Sequence, residues 1–310
     1  MSTPAIEFGR VSKTYRRMLG GMRVPALSNV SFQVMSGEVC GFLGPNGAGK
    51  TTSISIVMGF IYADWGRIRV LGHEPGDVRA KAKIGFVPEN FSFYKHLNAE
   101  ELLRFHARLA GVTQDAADGL IRDLIAKVKL NGYEKLKIAR YSRGMVQRLG
   151  IAQSLLGDPD LLVMDEPTSG LDPSGRKEVR DVILSLKAAG KTIFLSSHLL
   201  AEVEQICDQV IIVNRGHVVR AGAMQQLLAG SDQVEILASG IHEEMQTLLQ
   251  QWGATMEALP SGVRILVGGE HKRESVERLW AAGFDVLSLR PVKGSLEELY
   301  MTLVGSGGAA

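Results

Sequence analysis

Cysteine is nearly absent: Cys40 and Cys207 are the only two in 310 residues. They stand far apart in sequence, which excludes a disulfide framework and a Cys-rich metal site and suits a reducing cytoplasm. An excess of charge is missing too. The 35 Lys+Arg and 33 Asp+Glu leave a formal net charge of +2. That balance demands neither nucleic acid nor an anionic lipid surface, and no nucleic-acid partner is expected. Long apolar runs are also lacking. The uncharged stretches 24–37 and 51–63 are interrupted by small and polar residues, whereas a membrane span needs about 20 mostly apolar ones. Residues 1–10 carry acidic Glu7 and no apolar core, so no signal peptide is expected. A chain like this that acts at a membrane must dock on another subunit.

What is present suits a folded α/β protein. The chain is 45% hydrophobic and 22% charged, enough to bury a sizeable core. Its length fits one large domain or two, at roughly 100–200 residues per domain. Residues 5–8, 27–34 and 67–71 read as half-buried strands. Residues 39–43, 84–87, 161–164 and 192–195 read as fully buried strands, whose continuous Val/Ile/Leu character suits a central, largely parallel sheet. Residues 99–157 carry helical periodicity and no good strand, so a helical subdomain is expected there, within about 90–158.

Composition shifts after Gly222, with a boundary expected at 225–231. Beyond it, strands at 233–237, 255–258, 263–267 and 284–289 alternate with helices at 243–252 and 274–282. This is a β-α-β-β-α-β pattern, that of a small ferredoxin-like unit. A last helix, 295–304, opens on Ser295 with Glu298 three residues on, a capping-box spacing. The expected division is therefore 1–226, 227–304 and a flexible Gly/Ser/Ala tail, 305–310.

The residues that carry chemistry begin at Gly44-Pro45-Asn46-Gly47-Ala48-Gly49-Lys50-Thr51-Thr52, which fits G-x-x-x-x-G-K-[ST]. A buried strand precedes it and a helix-like run, 52–58, follows. Glycines let the backbone curl so that successive N–H groups face phosphates, and a helix N-terminus favours anions. Lys50 adds a point charge, and the Thr51 hydroxyl can ligate Mg2+.

The apolar strand at 161–164 ends in Asp165-Glu166. Strand alternation is expected to send the two acids to different sides. Asp165 can then serve the Mg2+ shell while Glu166 polarises a water. His198 stands at the end of the strand at 192–195, at the edge where open α/β sheets bind ligands, and can donate to a terminal phosphate. His73, His96, His106, His217, His242 and His271 show no ligand-like clustering; surface or packing roles suit them.

These motifs, in this order, resemble the nucleotide-binding subunit of ATP-binding cassette (ABC) transporters, from about residue 6 to 224. Tyr15 matches the aromatic that stacks on adenine. Gly85-Phe86-Val87-Pro88-Glu89-Asn90 matches the loop joining sheet and helical subdomain, where the family has Gln in place of Glu89. Tyr141-Ser142-Arg143-Gly144-Met145 falls where the family has Leu-Ser-Gly-Gly-Gln. Ser169-Gly170-Leu171-Asp172 matches its dimer-contact loop. The resemblance implies a P-loop NTPase fold: a RecA-like core, an antiparallel β-subdomain and a helical subdomain.

It also implies ATP and Mg2+ as cofactors, Glu166 as catalytic base and His198 as switch histidine. Thr51, Asp165 and Glu89 would lie about the metal. Ser142 and Gly144 would face the ATP of a partner cassette, in a homodimer or with a close relative. Arg143 can add charge near that phosphate or point to solvent. A carboxylate at 89 can meet Mg2+ but is repelled by a γ-phosphate, which either lowers turnover or ties it to the coupled subunit. The Glu89 and Arg-Gly-Met variants resemble the exporter branch, whose permease is a separate polypeptide. The implied protein is an ATPase on the inner face of the cell membrane. The contrasting expectation is a soluble mechanical ATPase of the same fold.

Overall fold

Four buried apolar runs separated by helices require a sheet covered on both faces. The computed structural model contains that sheet and describes residues 3–16, 23–228, 233–292 and 294–305. The tail at 306–310 lies outside the described residues, as do residues 229–231 of the expected 225–231 boundary.

The chain opens with β1 (Pro4–Arg16), β2 (Arg23–Met35), β3 (Val39–Leu43), α1 (Lys50–Val57), β4 (Trp65–Val70), α2 (Val78–Lys81) and β5 (Ile84–Val87). Three helices follow: α3 (Ala99–Leu109), α4 (Gln114–Lys127) and α5 (Arg143–Ser154). Then come β6 (Leu161–Asp165), α6 (Pro173–Ala188), β7 (Thr192–Ser197), α7 (Leu200–Ile206), β8 (Gln209–Asn214) and β9 (His217–Ala223).

β1, β2 and β4 form an antiparallel sheet in the order β2-β1-β4. β1 runs to Arg16, well past the expected 5–8, and so carries Tyr15 opposite Val24. The second sheet has the order β5-β6-β7-β3-β8-β9, parallel from β5 to β8. β8 and β9 lie outside the sequence expectation, although Val210-Ile211-Ile212-Val213 is an apolar run of the right length. They form an antiparallel hairpin whose two turn residues, Arg215 and Gly216, have φ of 47° and 78°. Positive φ at both positions is what a tight hairpin turn demands.

The two sheets share an apolar core. Phe32 of β2 stacks on Phe8 at 4.4 Å and lies 5.4 Å from Phe42 of β3 and 6.1 Å from Phe194 of β7, ring centre to ring centre. All four rings are buried, and such offset aromatic pairs add to area burial.

The helical segment joins β5 to β6. Asn98 and Glu101 form a capping box at the start of α3, satisfying two otherwise orphaned N–H groups. Arg148 of α5 is buried. It donates to the carbonyls of Val128 and Lys129 just after α4 and pairs with Glu178 of α6 at 3.0 Å. A buried cation needs such partners, and these fix the height of α5 against its neighbours.

Two units divide the chain: residues 1–224 together with 300–310, and residues 225–299. The C-terminal helix from Tyr300 onward therefore falls with the first unit, unlike the expected 227–304 division. α8 (Met224–Leu228) ends the first run. The second unit contains β10 (Gln233–Ala238), α9 (Glu243–Gln251), β11 (Thr255–Leu259), β12 (Gly262–Gly268), α10 (Lys272–Ala281) and β13 (Val286–Pro291).

Its sheet has the order β11-β12-β10-β13, with every neighbour antiparallel. β13 starts two residues later than expected. Gly283 (φ 84°) and Phe284 instead cap α10, with Phe284 N–H donating to the Leu279 carbonyl and Gly283 N–H to that of Trp280. This is a Schellman closure, which needs glycine at the left-handed position. α11 (Leu296–Gly305) follows, its first turn closed by reciprocal Ser295–Glu298 bonds. Among the described residues no helix is long and apolar enough to cross a membrane.

Candidate functional site

Three strand ends meet because β6, β7 and β3 are neighbours in the parallel sheet. The register sets Asp165 beside Ser196 and Leu43 beside Ser197. The loop after β3, the acids at the end of β6 and the histidine after β7 thus converge, although more than a hundred residues separate the first from the second. They line one cleft of about 730 Å3. Tyr15, Gly44, Pro45, Asn46, Gly47, Gly49, Lys50, Thr51, Thr52, Glu89, Asp165, Glu166 and His198 all border it. Ala48, Ser142 and Gly144 do not. Ala48 is buried behind the loop.

The loop's shape depends on its glycines. Gly49 has φ of 105°, and a Cβ there would stand 2.6 Å from the Ala26 carbonyl oxygen. A side chain at Gly44 would collide with the Val213 carbonyl. Gly49 thus needs glycine for reasons of dihedral and space, and Gly44 for space alone. α1 begins at Lys50, two residues before the expected start, with Gly49 as N-cap. No side chain caps it, and its first turn has no acid. Its first N–H groups are left for an anion. Lys50 is only 8% exposed. Its ammonium donates to the Gly44 carbonyl at 2.6 Å and lies 3.5 Å from Glu166 Oε1.

The two acids separate by a different route from simple strand alternation. β6 stops at Asp165, and Glu166 turns out of it with φ of 48°. A non-glycine residue in this region is uncommon and marks local strain. Glu166 Oε2 accepts from His198 Nδ1 at 2.7 Å and from His198 N–H at 3.2 Å. Ser196 organises both acids: its hydroxyl donates to Asp165 Oδ1 at 2.6 Å and accepts from Glu166 N–H at 2.9 Å. No motif marked Ser196; its position in the register one strand over reveals it.

Burial, with Glu166 and Glu89 nearby, raises the Asp165 pKa above its ordinary value, against the opposing effects of the Ser196 hydroxyl and Lys50. An acid whose pKa is raised by folding stabilises the fold fully below its ordinary pKa. That contribution is lost as pH rises through the folded value. Asp165→Asn is therefore expected to keep or raise the melting temperature above neutrality, where the parent carries a half-buried charge. Differential scanning calorimetry across the acid-to-alkaline range checks this; a variant that melts lower only at alkaline pH contradicts it.

Glu89 is exposed and accepts from the Ser169 hydroxyl at 3.5 Å, which joins the two loops bordering the cleft. Ser142 caps α5 by accepting from Met145 N–H at 3.2 Å, and it is exposed. Gly144 is buried. A Cβ there would lie 3.3 Å from the Gly175 Cα, so α5 and α6 approach closely at their N-termini. Arg143 is exposed, and within its own chain it also touches a neighbouring loop. Its guanidinium lies over Gly170 and reaches Asn90 Oδ1 at 3.4 Å. Of the other histidines, His271 stacks on Trp252 and His242 packs against Phe284.

Among the described residues no three His, Cys, Asp or Glu side chains are arranged to cage a metal by themselves. Thr51, Asp165 and Glu89 supply hard oxygen donors at the cleft. Mg2+ typically takes one or two carboxylates together with substrate phosphates, so this donor set fits it.

Sequence and structure comparisons agree with this geometry. Residues 27–169 match the family model described as ABC transporter. The chain is 42% identical over 245 residues to an ABC transporter ATP-binding protein of Synechocystis sp. (strain PCC 6803), covering 77% of this chain and 68% of that one. It is 37% identical over 242 residues to the Nod factor export ATP-binding protein I of Burkholderia pseudomallei (strain 1710b), covering 76% and 77%. A solved ATP-binding subunit of an ABC transporter superposes with a TM-score of 0.63 at 30% identity, covering 73% of this chain and 92% of that one.

Proposed function

The chain belongs to the ABC transporter ATP-binding proteins, and from that membership we propose a specific working cycle. Two cassettes, identical or closely related, close on two Mg·ATP and drive a separate membrane permease in the export direction. The observation that carries this reading is the meeting of the Lys50 loop, Asp165, Glu166 and His198 at three adjacent strand ends.

The 44–52 loop and Lys50 hold the β- and γ-phosphates, and Tyr15 stacks on the base. Thr51, Asp165 and Glu89 would hold Mg2+, which supplies neutralisation of phosphate charge. Glu166 orients a water in line with the γ-phosphate and accepts its proton as the terminal P–O bond breaks. His198 keeps Glu166 in place by donating from Nδ1, and the doubly protonated ring can donate from Nε2 to the γ-phosphate. Exposed Ser142 and the N-terminus of α5 complete the partner's site, and Gly144 allows the close α5–α6 packing behind them.

Residues 90–94, within the segment 89–96, border a groove of about 870 Å3 that Phe86, Phe91, Phe93, Tyr94, Phe105 and Leu109 help to line. Tyr94 and Leu109 are 58% and 71% exposed, and an apolar patch of this kind suits a helix of another subunit. The permease takes it, holding the cassette peripherally on the cytoplasmic face of the membrane. The named Nod factor relative supports export, and the ferredoxin-like region at 225–299 serves as an accessory domain that stabilises or regulates the pair.

Affinity purification of the full chain from solubilised membranes is the test. A multi-span membrane protein should accompany it in stoichiometric amount. Recovery from the soluble fraction with no such partner overturns the permease assignment in favour of a soluble mechanical ATPase.

A further inference from the structure

One wall of the nucleotide cleft comes from far outside the motif-bearing segments. Tyr300 of α11 borders it, together with Tyr15, Val24 and Pro25 and the loop around Lys50. One helical turn on, Val304 lines a separate hollow against residues 45–48 of that loop and Arg215 of the β8–β9 turn. Positions four apart share a helix face. α11 therefore borders two hollows beside the phosphate loop from a single face, and from Tyr300 onward it belongs to the first unit.

Two observations define what Tyr300 can offer. It is partly buried, and that burial raises its phenol pKa above the ordinary value, so the hydroxyl stays protonated and able to donate. It carries no charge for a phosphate, but its ring and O–H suit the nucleoside end of a ligand, where base stacking and ribose hydroxyls are available. A cleft with an aromatic ring from β1 and another from α11 has two apolar surfaces for one nucleoside.

We propose that Tyr300 is a nucleotide-contacting residue, and that α11 and the bound nucleotide stabilise each other's seating. This rests on the ATP-binding reading given above. The coupling is reciprocal: whatever affinity the seated helix adds to nucleotide binding, the nucleotide returns to the helix.

The full-length chain tests this by equilibrium Mg·ATP binding and by hydrogen–deuterium exchange. Tyr300→Ala should weaken Mg·ATP binding about tenfold, within the range of base–aromatic stacking. Tyr300→Phe, which keeps the ring, should lose less. In the parent, amide exchange across residues 296–305 should slow when Mg·ATP is added. Unchanged affinity in Tyr300→Ala, with the parent binding normally, overturns this inference and leaves the ATP reading intact. A parent that fails to bind Mg·ATP sinks both. Should Tyr300→Ala fail to fold, exchange in the parent decides: no slowing in α11 refutes the coupling.

Discussion

Replacing Glu166 by glutamine should lower ATP hydrolysis by roughly 10²–10⁴-fold, the range attributed to general-base assistance, while Mg·ATP binding persists. The side chain keeps its shape and loses its charge. Glutamine can still accept, through its amide oxygen, from the His198 N–H groups that now reach Oε2. The φ of 48° at this position is no worse for glutamine than for glutamate. What disappears is the proton acceptor. With nothing to take the proton from water, the pair of cassettes should stay closed on ATP and elute as a dimer. Phosphate release and size-exclusion chromatography with light scattering read the two effects. Hydrolysis at the parental rate removes Glu166 from the role of base.

Lys50→Ala should act one step earlier. Lys50 is nearly buried, bonded to the Gly44 carbonyl and 3.5 Å from Glu166. Hydrogen bonds involving a charged group contribute about 1.5–3 kcal/mol. Their loss toward phosphate weakens Mg·ATP binding by about 10–100-fold at 1.4 kcal/mol per tenfold. Removal of the ammonium also leaves the Glu166 carboxylate, 13% exposed, without its cationic neighbour, so hydrolysis falls even at saturating ATP. Arginine should not rescue it, because its planar fork does not fit the space of a compact ammonium. Titration calorimetry gives the constant; an unchanged value would refute a phosphate role for Lys50. The two variants thus differ in kind: one binds without turning over, the other hardly binds.

The second unit shows how far local pattern reaches. Its strands and helices were legible from alternation and helical period, because each is short and one face of each is apolar. The late start of β13 was not. It depends on Gly283 and Phe284 closing α10, a choice between two local structures that composition leaves open. β8 was missed for the opposite reason. Its apolar run is plain, but only pairing with β3 makes it a strand of the central sheet.

By itself the sequence determined the phosphate-binding loop, the acidic strand end, the family resemblance and the α/β class. These depend on residues adjacent in the chain, where spacing alone constrains the geometry. Only the tertiary structure decided that β6, β7 and β3 lie side by side, that Ser196 bridges Asp165 and Glu166, that Arg143 rests on Gly170, and that Tyr300 reaches the cleft. Each of these joins residues 27 or more positions apart, from 27 for Arg143 and Gly170 to well over two hundred for Tyr300 and the cleft. Such contacts are set by packing of the shared core, which no local window of sequence contains.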